Sequence, residues 1–305
     1  MLDRLRHKIV QSLWEKYRSV TPQMVIIEQA LYKKHVTTLY LDHFAVIDLP
    51  SEHSGIPVLT SIFSALGYEP KGKGYLPEKQ NDFQWLSESQ SCTLPAIDAL
   101  PQAVVADFRL EAMPIEISTI ITKYATQAKK IDIRRIQQLA QETAQGNEQS
   151  STQLERMILS YLEGRDWPKP TLNEFKTVQR FNELLAWVLA FGRRPNHFTL
   201  SIHLLSSFKS LENFHDFLKT LNIPLNVDGG VIKGGEKAGI AQSSTLGMMS
   251  DAALADGTLT LPSGFVEFVW RYPLDSIAQP KNWHDYFTGF IPQHADHVIQ
   301  SLYDK

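Results

Sequence analysis

Two hydrophobic periods alternate along this chain, and the points where one gives way to the other mark its elements. Residues 3–18 carry Leu5, Ile9, Leu13 and Trp14 at helical spacing, which predicts an amphipathic helix. Thr21-Pro22 sets a capping residue before a first-turn proline. A second helix is expected from there to about Lys34, packing through Val25, Ile26, Ala30 and Leu31. At residue 39 the period changes to two. In the strand 39–49, Leu41, His43, Ala45, Ile47 and Leu49 share one face, and His43 is the only polar group on it.

That strand opens an ordered block. Gly55-Ile56-Pro57 starts a helix through Val58, Ile62, Phe63 and Leu66 that stops at Gly67. Residues 68–75 form a Gly- and Lys-rich strand, 82–86 a short one, and 103–110, after Pro101, a β-branched one. The order is β-α-β-β-β. Helical pattern then fills 115–127 and 130–144, breaks over the polar residues 145–151, and resumes at 154–162 and 172–191, with Trp167-Pro168-Lys169-Pro170 as a turn. Gly192 ends the last of these, and Arg193-Arg194 is expected to be a helix C-terminal charge rather than an anion site. A second block follows: strand 196–205 with His197, helix 210–221, strand 225–233 broken by Gly229-Gly230, strand 238–245, a connection over 246–256, and strand 261–272. Its order is again β-α-β-β-β. A last helix is expected over 292–303. The class is α+β, read as one domain: a first module over 35–112, a helical insertion over 113–194, a second module over 195–275 and a C-terminal helix within 276–305.

The two blocks echo each other residue by residue. Asp42-His43-Phe44-Ala45-Val46 and Asn196-His197-Phe198-Thr199-Leu200 both run polar, His, Phe, small, aliphatic. A repeated buried-strand histidine points to both at one site, against the blander reading of two core residues. Thr199, Ser201 and His203 share the face of His197, so that face meets either solvent or a wet pocket. The last strands also echo, as Asp107-Phe108 and Glu267-Phe268. Phe265, Glu267, Val269 and Arg271 would share one face, and Val105, Asp107 and Arg109 another. A carboxylate and an arginine there are costly to bury unpaired, so they pair with each other or line a polar cup. Two histidines and one carboxylate with open positions suit Fe(II) and related divalent metals that also bind a substrate and O₂. The candidate ligands are His43, His197 and Glu267, with Asp107 a weaker fourth. His203 is expected near the site or exposed, and His294 and His297 on the surface. Lys79, in a loop-to-strand turn, is a candidate for a substrate carboxylate.

Composition narrows the field further. The net charge of −3, from 30 basic and 33 acidic residues, offers no electrostatic footprint for nucleic acid or an anionic membrane. The single cysteine, Cys92, forbids an internal disulfide framework and points to a reducing compartment. Residues 1–17 are charged and amphipathic, unlike a secretory signal, and no run approaches the roughly 20 apolar residues that span a bilayer. A cytoplasmic location is expected. The glycines form no phosphate-loop or dinucleotide pattern, so no nucleotide site is read.

In their order, Asp42-His43-Phe44-Ala45, Asn196-His197-Phe198-Thr199 and Phe265-Val266-Glu267-Phe268-Val269-Trp270-Arg271 resemble the 2-oxoadipate dioxygenase/decarboxylase family of glyoxalase-like, vicinal-oxygen-chelate metalloenzymes. Asp107-Phe108-Arg109-Leu110 also looks like a family strand running into a helix. The resemblance covers residues 35–300. It implies two βαβββ modules in one curved sheet, with added N-terminal and central helices. It also implies Fe(II) on His43, His197 and Glu267, with Zn, Ni or Mn as substitutes in a purified sample. The implied reaction is oxidative decarboxylation of a small 2-oxo acid with O₂, of the type that takes 2-oxoadipate to 2-hydroxyglutarate. One position departs: family members carry an arginine four residues after the first histidine, where this chain has Ile47. Arg271 and Arg109 are then the candidates, with Lys79, for holding a substrate carboxylate. Two alternatives stand beside this reading. One is a glyoxalase-like metal-dependent lyase, isomerase or hydrolase on a small carboxylate; the other is a metal-free small-molecule binding protein.

Overall fold

The computed structural model describes residues 1–303. Helices α1 (Leu2–Ser19) and α2 (Pro22–Lys33) come first. The stripe of Leu5, Ile9, Leu13 and Trp14 is buried on α1 as its spacing predicts. On α2 the buried stripe is instead Met24, Ile27 and Leu31, and Ile26 is 47% exposed. The apolar run 24–27 fits two helical registers, and packing selects the one that buries three side chains in line.

The first module is β1 (Leu41–Ile47), α3 (Ile56–Ala65), β2 (Tyr68–Leu76), β3 (Asn81–Glu88) and β4 (Gln102–Phe108). The insertion is α4 (Ile115–Ala125), α5 (Ile133–Ala144), α6 (Glu148–Tyr161), α7 (Leu172–Phe181) and α8 (Glu183–Phe191). The second module is β5 (His197–Ser201), α9 (Leu211–Thr220), β6 (Lys233–Gly235), β7 (Ile240–Ser244), a hairpin of β8 (Met249–Ala253) and β9 (Thr258–Pro262), and β10 (Phe265–Arg271). Helix α10 (Pro292–Ile299) follows.

Eight strands form one curled sheet in the order β2-β3-β4-β1-β5-β10-β7-β6. Each half repeats the same pattern: the first strand lies parallel to the last, β1 with β4 and β5 with β10. The halves join antiparallel between β1 and β5, where Phe44 faces Phe198 and His43 faces Thr199. Alternation divides the sheet into two faces. Phe44, Val46, Phe198, Leu200, Val266 and Phe268 pack into one core with α1, α3, α5, α6 and α9. Ile47, Phe83, Ala106 and Phe265 pack into a second with α4, α7, α8, the β8–β9 hairpin and α10. The insertion therefore serves both faces.

Several elements differ from their sequence patterns. The helix expected over 172–191 breaks at Asn182, which is extended (φ −155°, ψ 105°) and caps α8 by accepting from Leu185 N–H. The strand expected over 261–272 is interrupted at Ser263-Gly264; its first part is β9, which pairs with β8, formed from the expected connection. Strand 196–205 ends at Ser201, and residues 202–204 make one 3-10 turn. Strand 225–233 shrinks to an isolated bridge at Leu225 and the short β6, because Gly229 and Gly230 take left-handed φ values. The polar break at 145–151 is shorter than its pattern suggests, since Asn147 caps α6. Arg193 is not an exposed helix-end charge: it is fully buried and ion-paired with Asp48 and Asp166, each at 3.0 Å.

Candidate metal centre

β1, β5 and β10 lie side by side at the centre of the sheet, and each brings one side chain to the same point. His43, His197 and Glu267 are buried, and their ligand atoms lie within 4.8 Å of one another. Strand register explains the convergence. His43 faces Thr199 across β1 and β5, and Thr199 faces Glu267 across β5 and β10. Both imidazole Nε2 atoms stand 3.2 Å from Glu267 Oε2.

Each histidine is oriented by the residue before it. His43 Nδ1 lies 2.7 Å from Asp42 Oδ1, and His197 Nδ1 lies 2.6 Å from Asn196 Oδ1. Neither oxygen can donate when Asp42 is ionised and Asn196 presents its carbonyl, so the ring proton belongs on Nδ1 and Nε2 is left as the ligand atom. The pairing of β1 with β5 shifts register between Leu41 and His43, at Asp42. The rings are braced by aromatics: Phe265 stacks on His197 at 4.7 Å, and Phe290 meets His43 edge-on at 4.8 Å.

Glu267 is held from both sides. Thr199 Oγ1 donates to Oε2 at 2.9 Å, and Gln242 Nε2 donates to Oε1 at 2.7 Å. Burial alone would raise the Glu267 pKa, but His43 and the hydrogen bond from His197 overcome it and hold the carboxyl well below its ordinary value. Burial likewise opposes charge on His43, yet Glu267 and the Asp42 hydrogen bond raise it to about 9. His197 is lowered, because burial outweighs the pull of Glu267. A buried carboxylate thus demands a positive charge beside it, and two imidazole nitrogens share its Oε2. A divalent cation with borderline-soft preferences fits this donor set and its demand for charge, and the triad is consistent with an Fe(II) site of the two-histidine, one-carboxylate type. Among the described residues, no other group of three or more His, Cys, Asp or Glu is placed to hold a metal.

The remaining candidates lie elsewhere. Arg271 is fully buried beside the triad, but its five N–H groups go to Asp42 twice, Gln102, and the carbonyls of Phe287 and Gly289. Arg109 is exposed, paired with Asp82 and stacked on Tyr75. Lys79 is buried against Asp296 and the Tyr303 ring. Asp107 is not a fourth ligand: it faces the outer side of the sheet, where its Oδ2 accepts Ile56 N–H at the start of α3. His203 sits on the 3-10 turn against Tyr286, where burial lowers its pKa to about 4. His297 pairs with Asp228. Of the two side chains that hold Glu267, Gln242 carries no local motif, and Thr199 lies on the face expected to meet either solvent or a wet pocket. The signal was polar residues in strands that pack on both faces: Thr199 and Ser201 alternating with apolar residues on β5, and Gln242, Ser243 and Ser244 in a row on β7.

A family model described as 2-oxoadipate dioxygenase/decarboxylase matches residues 8–274. The chloroplastic 2-oxoadipate dioxygenase/decarboxylase of Arabidopsis thaliana is 27% identical, over 94% of this chain and 74% of that protein. The chloroplastic/amyloplastic protein of the same description from Oryza sativa subsp. japonica is 25% identical, over 98% of this chain and 79% of that protein. Among solved structures, the hydroxyglutarate synthase from Oryza sativa in complex with 2-oxoadipate superposes with a TM-score of 0.79 at 25% identity, over 99% of this chain and 93% of that one. The buried triad, the duplicated half-sheets and the match over most of its length agree, and this chain belongs to the 2-oxoadipate dioxygenase/decarboxylase family.

Proposed function

We propose that this protein is a non-haem Fe(II)-dependent dioxygenase/decarboxylase acting on a small 2-oxo acid. The observation that carries the proposal is the convergence of His43 Nε2, His197 Nε2 and Glu267 Oε2 in a buried cavity. In the related Oryza protein that fold holds 2-oxoadipate.

His43, His197 and Glu267 would hold the metal. Bound there, Fe(II) supplies Lewis acidity and redox chemistry for a 2-oxo acid and O₂, with three protein ligands leaving open positions for both. The protein's part is placement. Asp42 and Asn196 hold the two rings by Nδ1, so neither Nε2 swings away. Thr199 and Gln242 fix both oxygens of Glu267, one hydrogen bond each. Apolar side chains, Phe290 and Leu184 among them, line the cavity beside the triad. The net reaction consumes one O₂ and releases one CO₂ per 2-oxo acid.

The test is elemental analysis of protein prepared without oxygen, followed by O₂ uptake and CO₂ release with a panel of 2-oxo acids. Stoichiometric iron and equal O₂ and CO₂ are expected. Iron-loaded protein that consumes no O₂ with any 2-oxo acid would overturn the reading. Turnover that persists without O₂ would replace it with a metal-dependent lyase or isomerase.

A further inference from the structure

We infer that the far end of the substrate is apolar: this chain prefers a 2-oxo monocarboxylate with an aliphatic or aromatic side chain over a 2-oxo dicarboxylate. The inference rests on the 2-oxo acid reading above and assigns the substrate class within it.

The cavity begins at the triad, where His43, His197, Glu267 and Gln242 supply its polar end. Phe290 stands against His43 at the triad end, and the other walls include Ile47, Leu76, Phe83, Val104 and Leu184. These come from separate elements of the fold. Ile47 lies on β1 two pleats beyond His43, and Val104 lies on β4 opposite Ala45. Phe83 rises from β3 and Leu184 from α8. A chain anchored at the metal by its 2-oxo acid end runs its tail into this apolar half.

Among the described residues, no lysine or arginine lines the cavity. Arg271 has no N–H left for a ligand. Arg109 points outward onto Asp82. The ammonium of Lys79 is neutralised by Asp296. Among the described residues, Asn81 is the polar side chain lining the cavity away from the triad; it carries no charge, and one of its amide N–H groups goes to the Asp107 carbonyl at 2.7 Å. A second carboxylate placed there would lose its hydration and meet no counter-charge. A methyl, branched alkyl or aryl group meets only surfaces that gain from excluding water.

The experiment compares 2-oxohexanoate with 2-oxoadipate, which share a backbone and differ in carrying a methyl group or a carboxylate at the far end. Binding to the Fe(II)-loaded protein is measured by calorimetry without oxygen, and kcat/KM by O₂ uptake. 4-Methyl-2-oxopentanoate and phenylpyruvate extend the series. The monocarboxylates are expected to bind about tenfold tighter or more than 2-oxoadipate, with kcat/KM in the same order. Ile47→Arg, which puts a cation in the far half, is expected to reverse that order. Equal affinity, or preference for 2-oxoadipate in the unmodified protein, overturns the inference and leaves the 2-oxo acid reading standing. Failure of every 2-oxo acid to bind or turn over removes both. If Ile47→Arg does not fold, the comparison on the unmodified protein decides alone.

Discussion

Asp42 and Arg271, 229 residues apart in the chain, meet in a two-pronged ion pair beside His43, with Nε to Oδ2 at 2.7 Å and Nη2 to Oδ1 at 2.8 Å. The same Oδ1 holds His43 Nδ1 at 2.7 Å. Both partners of the pair are fully buried. Burial works against the Asp42 charge, but Arg271 and His43 outweigh it and hold the carboxyl far below its ordinary range. One arginine thereby keeps ionised the carboxylate that aims a metal ligand.

Arg271→Met should strand that carboxylate in the core. The expected loss of unfolding free energy is about 3–5 kcal/mol, read from denaturant midpoints of the metal-free protein. Asp42→Asn tests the aim of His43 directly, since Asn196 already performs the same task without charge in the other half. It should keep an acceptor for His43 and weaken metal binding by about 10–100-fold. Unchanged metal affinity in Asp42→Asn would show that His43 is held by packing alone.

Glu267→Gln should fold and retain less than about a tenth of the metal, because it removes the only anionic ligand of the triad. Thr199→Val keeps the shape and removes the hydroxyl that donates to Oε2. It should cost about 1 kcal/mol of stability and a smaller share of metal affinity. Full metal content in Glu267→Gln, measured by elemental analysis, would move the metal site away from this triad.

Asp107 offers a pH signature away from the metal. Burial raises its pKa from 3.8 to about 6; the Ile56 N–H opposes the shift, and Asp82 and Asp48 add to it. The folded state therefore holds this proton more tightly than the unfolded state. Its contribution favours folding at pH below the unfolded value and is lost as pH rises through 6. Asp107→Asn keeps an acceptor for Ile56 N–H and carries no charge. It should stabilise the protein by about 1–3 kcal/mol at pH 8 and by little at pH 4. Unfolding free energies of both proteins across that range check the sign, and a difference independent of pH would refute it.

Arg193 ties the helical insertion to the first module. It pairs with Asp48, which also accepts from Gly55 N–H at 3.0 Å and from Tyr161 Oη on α6 at 2.9 Å. Its guanidinium lies 3.9 Å from the centre of the Tyr161 ring. Arg193→Met should lower stability by about 3–5 kcal/mol by leaving Asp48 buried without a cation. A thermal or denaturant shift worth under about 1 kcal/mol would mean that the network relaxes around the loss.

The candidate site was legible where the signal was local. A histidine on an otherwise apolar strand face marked His43, and the repeat of its polar-His-Phe-small-aliphatic run marked His197. The carboxylate was legible through its own strand, but its apparent counterpart was not. Asp107-Phe108 looks like Glu267-Phe268, yet pairing runs differently. Ala45, two residues after His43, faces Val104, while Thr199, two residues after His197, faces Glu267. The counterpart of Glu267 is therefore Val104, three residues before Asp107. An odd shift sends a strand side chain to the other face, so Asp107 caps a helix while Val104 lines the cavity.

By itself, the sequence determined most of the helices, the duplication and the two histidine strands, because these follow from periods of two and 3.6 and from residues adjacent in the chain. It also held the helix breaks at Gly67 and Gly192. Tertiary structure alone decided the rest. Asn182 breaks a continuous helical pattern because its side chain both caps α8 and donates to the Lys79 carbonyl at 2.6 Å. Arg271 became the partner of Asp42 because the fold sets the end of β10 beside the start of β1. Which residue faces which across neighbouring strands depends on register, bulges and loop closure. Those are settled by contacts between segments hundreds of residues apart, and no local pattern encodes them.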